Sequence, residues 1–468
     1  MASHRSFRQR RLSELITVAA GAILLTACGG SAGTSQGSSA TYSKPVTNIS
    51  CNGCGRGVNL NVWYGKATGA TAAGQAALQQ YWSKRFQSLT GATVTWTPWF
   101  SATDEVNKLN GAVTTHNGPD VFEMGDTFVP NAANAGALWH LTPSEWNLVG
   151  GRQRFFPTQM ALSGPQKDSW SSVPEFMNPY GMTYNTKLFQ QAGIKTPPGT
   201  WSEFIKDAQA ITALGDGVEG TSLFPSDSFL SWKILYLLTE QMGGAWVSPD
   251  LKRATLNTKD LEAAEDFWYE WLTQYHVVPP ASLTWTSAVE ISNFAKGKIG
   301  MMVITTANVE ATLKDSSVAN DYKFAPLPEG PVPGAPSGSH NTVAATIAVG
   351  DNWSAMSFSK HRDLSLRFLN MVTDTKSDIM QQKLTGSLPT NVEAANQLAK
   401  QNAGVAVFVS AEKKAVPTPF VSYWGTVEAE LSSVQTQIAS SIAQGQPWKN
   451  RVAPLLGQAN SAVASANG

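Results

Sequence analysis

Short strand patterns alternating with amphipathic helices predict an α/β protein, and three observations carry that expectation. Val58, Leu60, Val62 and Tyr64 alternate with polar neighbours, the period of a half-buried strand. Leu78, Tyr81, Trp82, Phe86 and Leu89 then recur at helical spacing, and residues 93–97 alternate again before stopping at Pro98. After a further helical stretch over 104–114, Gly118-Pro119-Asp120 turns into the apolar pair Val121-Phe122. Strand, helix, strand, helix, strand is the order of an α/β layer with parallel pairing.

The middle of the chain is rich in helix. Pro197-Pro198 and Thr200 announce a helix over 201–214, with Thr200 placed to cap it. Residues 229–242 are apolar nearly all round, which predicts an interior helix. Leu261, Ala264, Phe267, Trp268, Trp271 and Leu272 share one face of the next. Residues 300–304 and 346–349 are short buried strand patterns, separated by a Pro/Gly-rich surface connection over 326–339. A helix follows over 361–372, and Val427, Leu431, Val434, Ile438 and Ile442 mark another near the end. No internal repeat is evident.

The first residues have a different character. Arg8, Arg10 and Arg11 precede an apolar run over 15–25, then Thr26-Ala27-Cys28. Positive charge, a short apolar core and small residues describe a secretory signal; the run is well short of the roughly 20 residues that span a bilayer. Cys28 directly after Leu25-Thr26-Ala27 resembles the lipobox of bacterial lipoproteins. The resemblance implies cleavage after residue 27 and lipid on Cys28. Gly29 to Ala40 is Gly/Ser-rich and reads as a flexible leash. Arg10-Arg11 raises export of a folded protein, although Leu12-Ser13-Glu14 suits that route poorly, and both routes stay open.

Composition excludes several classes. The chain carries 34 basic and 34 acidic residues, and its leader holds more of the former, so the remaining body is slightly acidic. That argues against a nucleic-acid or charge-driven membrane surface. Cys51 and Cys54, the other two cysteines, read as a local disulfide in an oxidising compartment. A metal knuckle would need further soft ligands nearby, and a redox motif would want a following helix. Nucleophile-elbow, zinc-protease and phosphate-loop motifs are missing, and the six histidines show no metal-ligand spacing. Nothing here calls for catalysis, a metal or a cofactor. Sixteen tryptophans raise the question of which are core and which form a ligand platform.

Several segments, in order, resemble the extracellular solute-binding proteins of carbohydrate ABC transporters. They are Leu60-Asn61-Val62-Trp63-Tyr64, then Gly118-Pro119-Asp120-Val121-Phe122-Glu123-Met124-Gly125-Asp126. Tyr184-Asn185-Thr186-Lys187-Leu188-Phe189-Gln190-Gln191-Ala192-Gly193 follows, with Pro197-Pro198 and Thr200-Trp201-Ser202-Glu203-Phe204. Phe294 to Met301 and Leu388-Pro389-Thr390-Asn391 complete the series. The resemblance implies a type II periplasmic-binding-protein-like fold, two α/β lobes joined by a hinge with a ligand cleft between them. It implies a leader over 1–27, a tether over 28–50, a first lobe of 51–175 with 301–336, and a second of 176–300 with 337–468. Crossings fall near 173–178, 300–306 and 337–342. The expected role is that of a monomeric, lipid-anchored receptor that gives a sugar to ABC permease subunits outside the cytoplasm. A tethered glycoside hydrolase, or a binder of glycerophosphodiester or peptide on the same scaffold, are the competing readings.

Sugars present hydroxyls that need matched partners and apolar faces that stack on rings. By resemblance, Trp424, just before the last strongly periodic helix, is the leading stacking candidate, against a core role. Asp126 is the carboxylate for hydroxyls, or a helix cap. Tyr64 and Lys66 follow the first strand; Asn178 and Tyr180 border the first crossing. Asp227, Phe229 and Trp232 lie on the loop before the interior helix, where Asp227 could cap and Trp232 could be core. Asn308 stands where maltose-type relatives carry a tryptophan-containing segment, with Trp285 able to compensate. Ser339 and His340 lie at the third crossing.

Overall fold

The computed structural model describes residues 41–65, 70–100, 102–164, 170–339 and 344–467. Its strands are β1 (Asn59–Tyr64), β2 (Thr93–Pro98), β3 (Val121–Gly125), β4 (Val173–Met177), β5 (Gly181–Asn185), β6 (Met301–Thr305), β7 (Tyr322–Ala325), β8 (Thr346–Ala348), β9 (Gly350–Ala355), β10 (Leu388–Pro389) and β11 (Ala415–Pro417). Six form one sheet in the order β10-β4-β9-β3-β1-β2; three form a second, β6-β5-β7; β11 and β8 pair separately.

The first sheet follows the expected pattern where the sequence alternates. β1 runs parallel to β2 and β3, and the helix Ala72–Thr90 between β1 and β2 buries Leu78, Trp82 and Phe86. Thr71 caps it by accepting from the Gly74 N–H at 3.0 Å. The rest of the sheet is antiparallel: β9 pairs with β3 and β4, and β10 with β4. Its core gathers Leu60, Val62, Tyr64, Trp82, Val121, Trp353 and Phe368. Tyr64 stacks on Trp353 with ring centroids 5.0 Å apart.

The second sheet is antiparallel, β5 pairing with β6 and β7. Helices Trp201–Thr212, Ser231–Gln241, Lys259–Thr273, Trp424–Ala443 and Lys449–Asn467 supply most of its core. Thr200 and Glu203 form a reciprocal capping box. Ser231–Gln241 is buried on nearly every face, as its continuous apolar pattern predicts.

Strand pairing departs from the expected allocation of segments. β6, within the 301–336 assigned to the first lobe, pairs with β5 in the second sheet. β9 and β10, within the 337–468 assigned to the second lobe, lie in the first sheet. The short patterns at 300–304 and 346–349 carry no mark of which sheet receives them. The chain passes between sheets at 178–180, as expected near 173–178, again at Val349, between β8 and β9, and a third time over 390–414, between β10 and β11. It does not do so at 300–306, because β6 and β7 share β5 as neighbour. The first two passages touch: the Asn178 N–H donates to the Val349 carbonyl at 2.9 Å. A Cβ on Gly350 would lie 2.1 Å from the Phe176 carbonyl oxygen, so the close strand approach requires glycine there.

A disulfide joins Cys51 and Cys54. Among the described residues, no helix is long and apolar enough to cross a membrane. Cys28 and the leader lie outside the described residues.

Candidate functional site

In open α/β sheets ligands sit beyond the carboxyl ends of the parallel strands. Here that edge is a cluster of acids. Glu123, inside the buried strand β3, accepts from the Gly65 N–H at 2.6 Å after β1. A Cβ on Gly65 would lie 2.3 Å from the Trp99 ring, so that turn also needs glycine. Glu175 in β4 accepts from Tyr64 Oη and Gln381 Nε2, each at 2.9 Å. Glu105 accepts from the Gly125 N–H at 3.0 Å. Asp126 ends β3; it accepts from the Thr127 N–H at 2.9 Å through Oδ1, while its buried Oδ2 has no hydrogen-bond partner.

Burial drives the titration of these groups, because an ionised carboxylate loses its hydration. It pushes Asp126 up to about 8, against the pull of Lys233. Burial, then Asp351 and Glu175, hold Glu123 well above the ordinary carboxylate range. Asp351 in β9 is pushed by burial to about 6, held down by its hydrogen bond with Glu123. Burial also raises Glu175 and Glu105.

The facing side comes from the second lobe. Lys233, only 3 % exposed, donates from Nζ to Tyr180 Oη at 2.9 Å. The same ammonium lies 3.7 Å from the centroid of the Phe229 ring, a cation–π contact. Phe229 is itself 59 % exposed, so its ring is open to a ligand. Lys233 acts electrostatically on Asp126, Asp351 and Glu428. Burial lifts Glu428 to about 7, opposed by Lys233, the Thr127 hydroxyl and the Trp424 indole. Acids of the first sheet thus face a lysine and an aromatic ring of the second lobe.

The expected residues divide. Asp126, Tyr180 and Phe229 come together around Lys233. Asn178 and Asn308 meet beside the first passage, Asn308 Nδ2 donating to Asn178 Oδ1 at 3.2 Å. Tyr64 is a core ring whose hydroxyl alone reaches the acid cluster. Trp424 is 1 % exposed and lies in an aromatic core, stacked on Trp246 at 6.0 Å and edge-on to Trp232 at 5.7 Å. Trp424 and Trp232 therefore take the packing role. Asp227 has both oxygens occupied: Oδ1 by the Phe229 and Leu230 N–H groups, Oδ2 by the N–H and hydroxyl of Ser287. It shapes the loop that presents Phe229. Trp285 packs on the satellite core of Phe294, Ile299 and Met302. Ser339 donates to Asp260 Oδ1 at 3.2 Å, at the start of Lys259–Thr273. Lys66 and His340 lie outside the described residues.

Lys233, Glu123, Glu175, Asp351 and Glu428 were not among the sequence candidates. Nor was Phe100, 81 % exposed on the loop after β2. A cavity of about 460 Å³ lies beside this site, between Pro130, Asn134 and His140 of the first lobe and Leu251, Phe420 and Tyr423 of the second. None of the clustered acids lines it. Among the described residues no group of three or more His, Cys, Asp or Glu is arranged to hold a metal ion.

Residues 69–379 match the family described as bacterial extracellular solute-binding protein. The chain belongs to that family. The diacetylchitobiose binding protein DasA of Streptomyces coelicolor is 24 % identical over 360 residues, covering 76 % of this chain and 80 % of DasA. Two solved structures share the fold at 19 % identity. The sugar-binding protein MalE of Xanthomonas citri superposes with a TM-score of 0.72, covering 87 % of this chain and 98 % of MalE. The GacH receptor of Streptomyces glaucescens, solved unliganded and with acarbose, gives 0.70, with the same 87 % and 98 % coverage. Two α/β lobes of the type II binding-protein class are the fold of this solute-binding protein.

Proposed function

We propose that this solute-binding protein captures a sugar or short oligosaccharide by lobe closure and delivers it to the permease of an ABC importer. The observation that carries the reading is the junction itself: an exposed ring, Phe229, stands beside buried polar groups from both lobes, Asp126 and Lys233. A stacking surface next to unspent hydrogen-bonding atoms is what a carbohydrate needs. DasA, MalE and GacH, whose names or complexes refer to sugars or acarbose, support the class. The closing bodies are the six-stranded sheet with its helices and the three-stranded sheet with its helices, with 178–180, Val349 and 390–414 between them. Lipid on Cys28 and the leash that follows would keep the receptor beside its permease on the outer face of the membrane.

The rival hydrolase reading needs two carboxyl groups separated by the scissile bond, roughly 5–9.5 Å apart. Glu123 and Asp351 are instead hydrogen-bonded to each other, which is not the arrangement of two carboxyls flanking a glycosidic bond. Thermal unfolding with a panel of maltose, maltotriose, cellobiose and N,N′-diacetylchitobiose, followed by product analysis, tests the proposal. A raised midpoint with sugar recovered intact is expected. Hydrolysis products would overturn it in favour of the enzyme, and a midpoint raised only by glycerophosphodiester or peptide would move the ligand class. For the anchor, Cys28→Ala is expected to shift the protein from the membrane fraction to the medium; unchanged membrane association would remove the lipid.

A further inference from the structure

The junction holds far more acid than a neutral sugar requires. Asp126, Asp351 and Glu428 converge there from both lobes, with Glu105, Glu123 and Glu175 behind them. Among the described residues, Lys233 is the cation that acts on the first three, and its ammonium already has the Tyr180 hydroxyl on one side and the Phe229 ring on another. Asp126 is nine-tenths buried with Oδ2 unpartnered, and Glu175 Oε2 is likewise buried and unpartnered. Lys233 and Glu428, which belong to the second lobe, both act electrostatically on Asp126. A sugar hydroxyl would satisfy its free oxygen; an ammonium would do so with a charge-assisted hydrogen bond once the carboxyl gives up its proton. Hydrogen bonds to charged groups are stronger than neutral ones.

Resting on the sugar-receptor reading, we infer that the cleft is built for a carbohydrate bearing an ammonium group, an amino sugar whose nitrogen sits between Asp126 and the second lobe while its ring lies on Phe229. One face of that ring is taken by Lys233, leaving the other for the sugar. The acids then serve as a proton reservoir. Burial keeps part of the set protonated near neutral pH, Asp126 about 8 and Glu428 about 7. An arriving cation lowers those values, so protons leave as it binds. Lys233 already weighs against protonation of Asp126, and Asp351 and Glu428 favour it, so the release belongs to the whole cluster rather than to one carboxyl.

The test compares sugars that differ only by hydroxyls exchanged for ammonium groups: cellobiose against its di-glucosamine counterpart chitobiose, with two exchanges, and maltose against 2-amino-2-deoxymaltose, with one. Calorimetry at neutral pH, in two buffers of different ionisation enthalpy, reads affinity and proton release together. The ammonium member of at least one pair is expected to bind about tenfold tighter, with protons released, while its neutral parent releases none. Asp126→Asn, which keeps an oxygen for the Thr127 N–H, should reduce the ratio within the pair to about threefold or less. Should that variant not fold, Glu428→Gln is expected to lower the same ratio. Neutral parents that bind as well as their ammonium partners overturn this inference and leave the sugar receptor standing. Silence from every sugar, including the neutral panel above, overturns both.

Discussion

The two sides of the cleft are made in opposite ways. The first lobe lines its side with acids seated inside strands, Glu123 in β3, Glu175 in β4 and Asp351 in β9, held by backbone and side-chain donors. The second lobe presents an aromatic ring on a loop and a lysine one short step along the following helix. The first arrangement is rigid and costly, because buried carboxylates lose hydration. The second is exposed and inexpensive to alter. Strength of fold and strength of binding should therefore separate along the chain, and the rings illustrate it: Trp424 is sealed in the core while Phe229 stands open.

The largest effect sharpens that separation. Trp424→Ala should cost about 3–5 kcal/mol of stability, read as a lower urea midpoint, because it empties a cluster shared with Trp232, Tyr236 and Trp246. A normal midpoint with lost sugar binding would return Trp424 to the ligand. Phe229→Ala should do the reverse, leaving the urea midpoint within about 0.5 kcal/mol while weakening the best sugar of the panel about tenfold. Next comes pH. Asp126 is raised from 3.8 to about 8, so the folded protein binds more protons than the unfolded chain between those values. The stabilisation is complete below the unfolded value and lost as pH rises through about 8. Thermal midpoints should fall from pH 5 to 8.5, and Asp126→Asn should flatten the decline; an identical slope would show that the other acids dominate. The smallest effect is expected from Phe100→Ala, about twofold to threefold in affinity, since that ring has no cation beside it among the described contacts.

Much of this architecture was legible in the sequence. Residues 58–64, 93–97 and 201–214 alternate or repeat at one clear period, and their elements form within a few residues of the expected bounds. β9 was not legible: Gly-Asp-Asn-Trp-Ser-Ala has little apolar character, yet it lies between β3 and β4 because its polar groups find partners inside. Asn352 Oδ1 accepts from Ser163 Oγ at 2.9 Å, and Asp351 bonds to Glu123. The acids and Lys233 did leave a trace. Glu123 interrupts Val-Phe-Glu-Met, Glu175 interrupts Val-Pro-Glu-Phe-Met, and Lys233 interrupts an otherwise apolar helix. A charge that a buried pattern does not need is a stronger pointer to a site than an aromatic in a loop. Trp424 misled for the complementary reason, since a tryptophan at a helix start fits a core and a platform equally well.

The paired passages at Asn178 and Val349 have a mechanical consequence. With the third passage after β10, two straps stitched together side by side favour swing of the lobes over sliding or spin. Whatever guest the protein takes must be gripped along one arc, so a shift of one residue in that stitching would re-aim Phe229 relative to Asp126 without touching either.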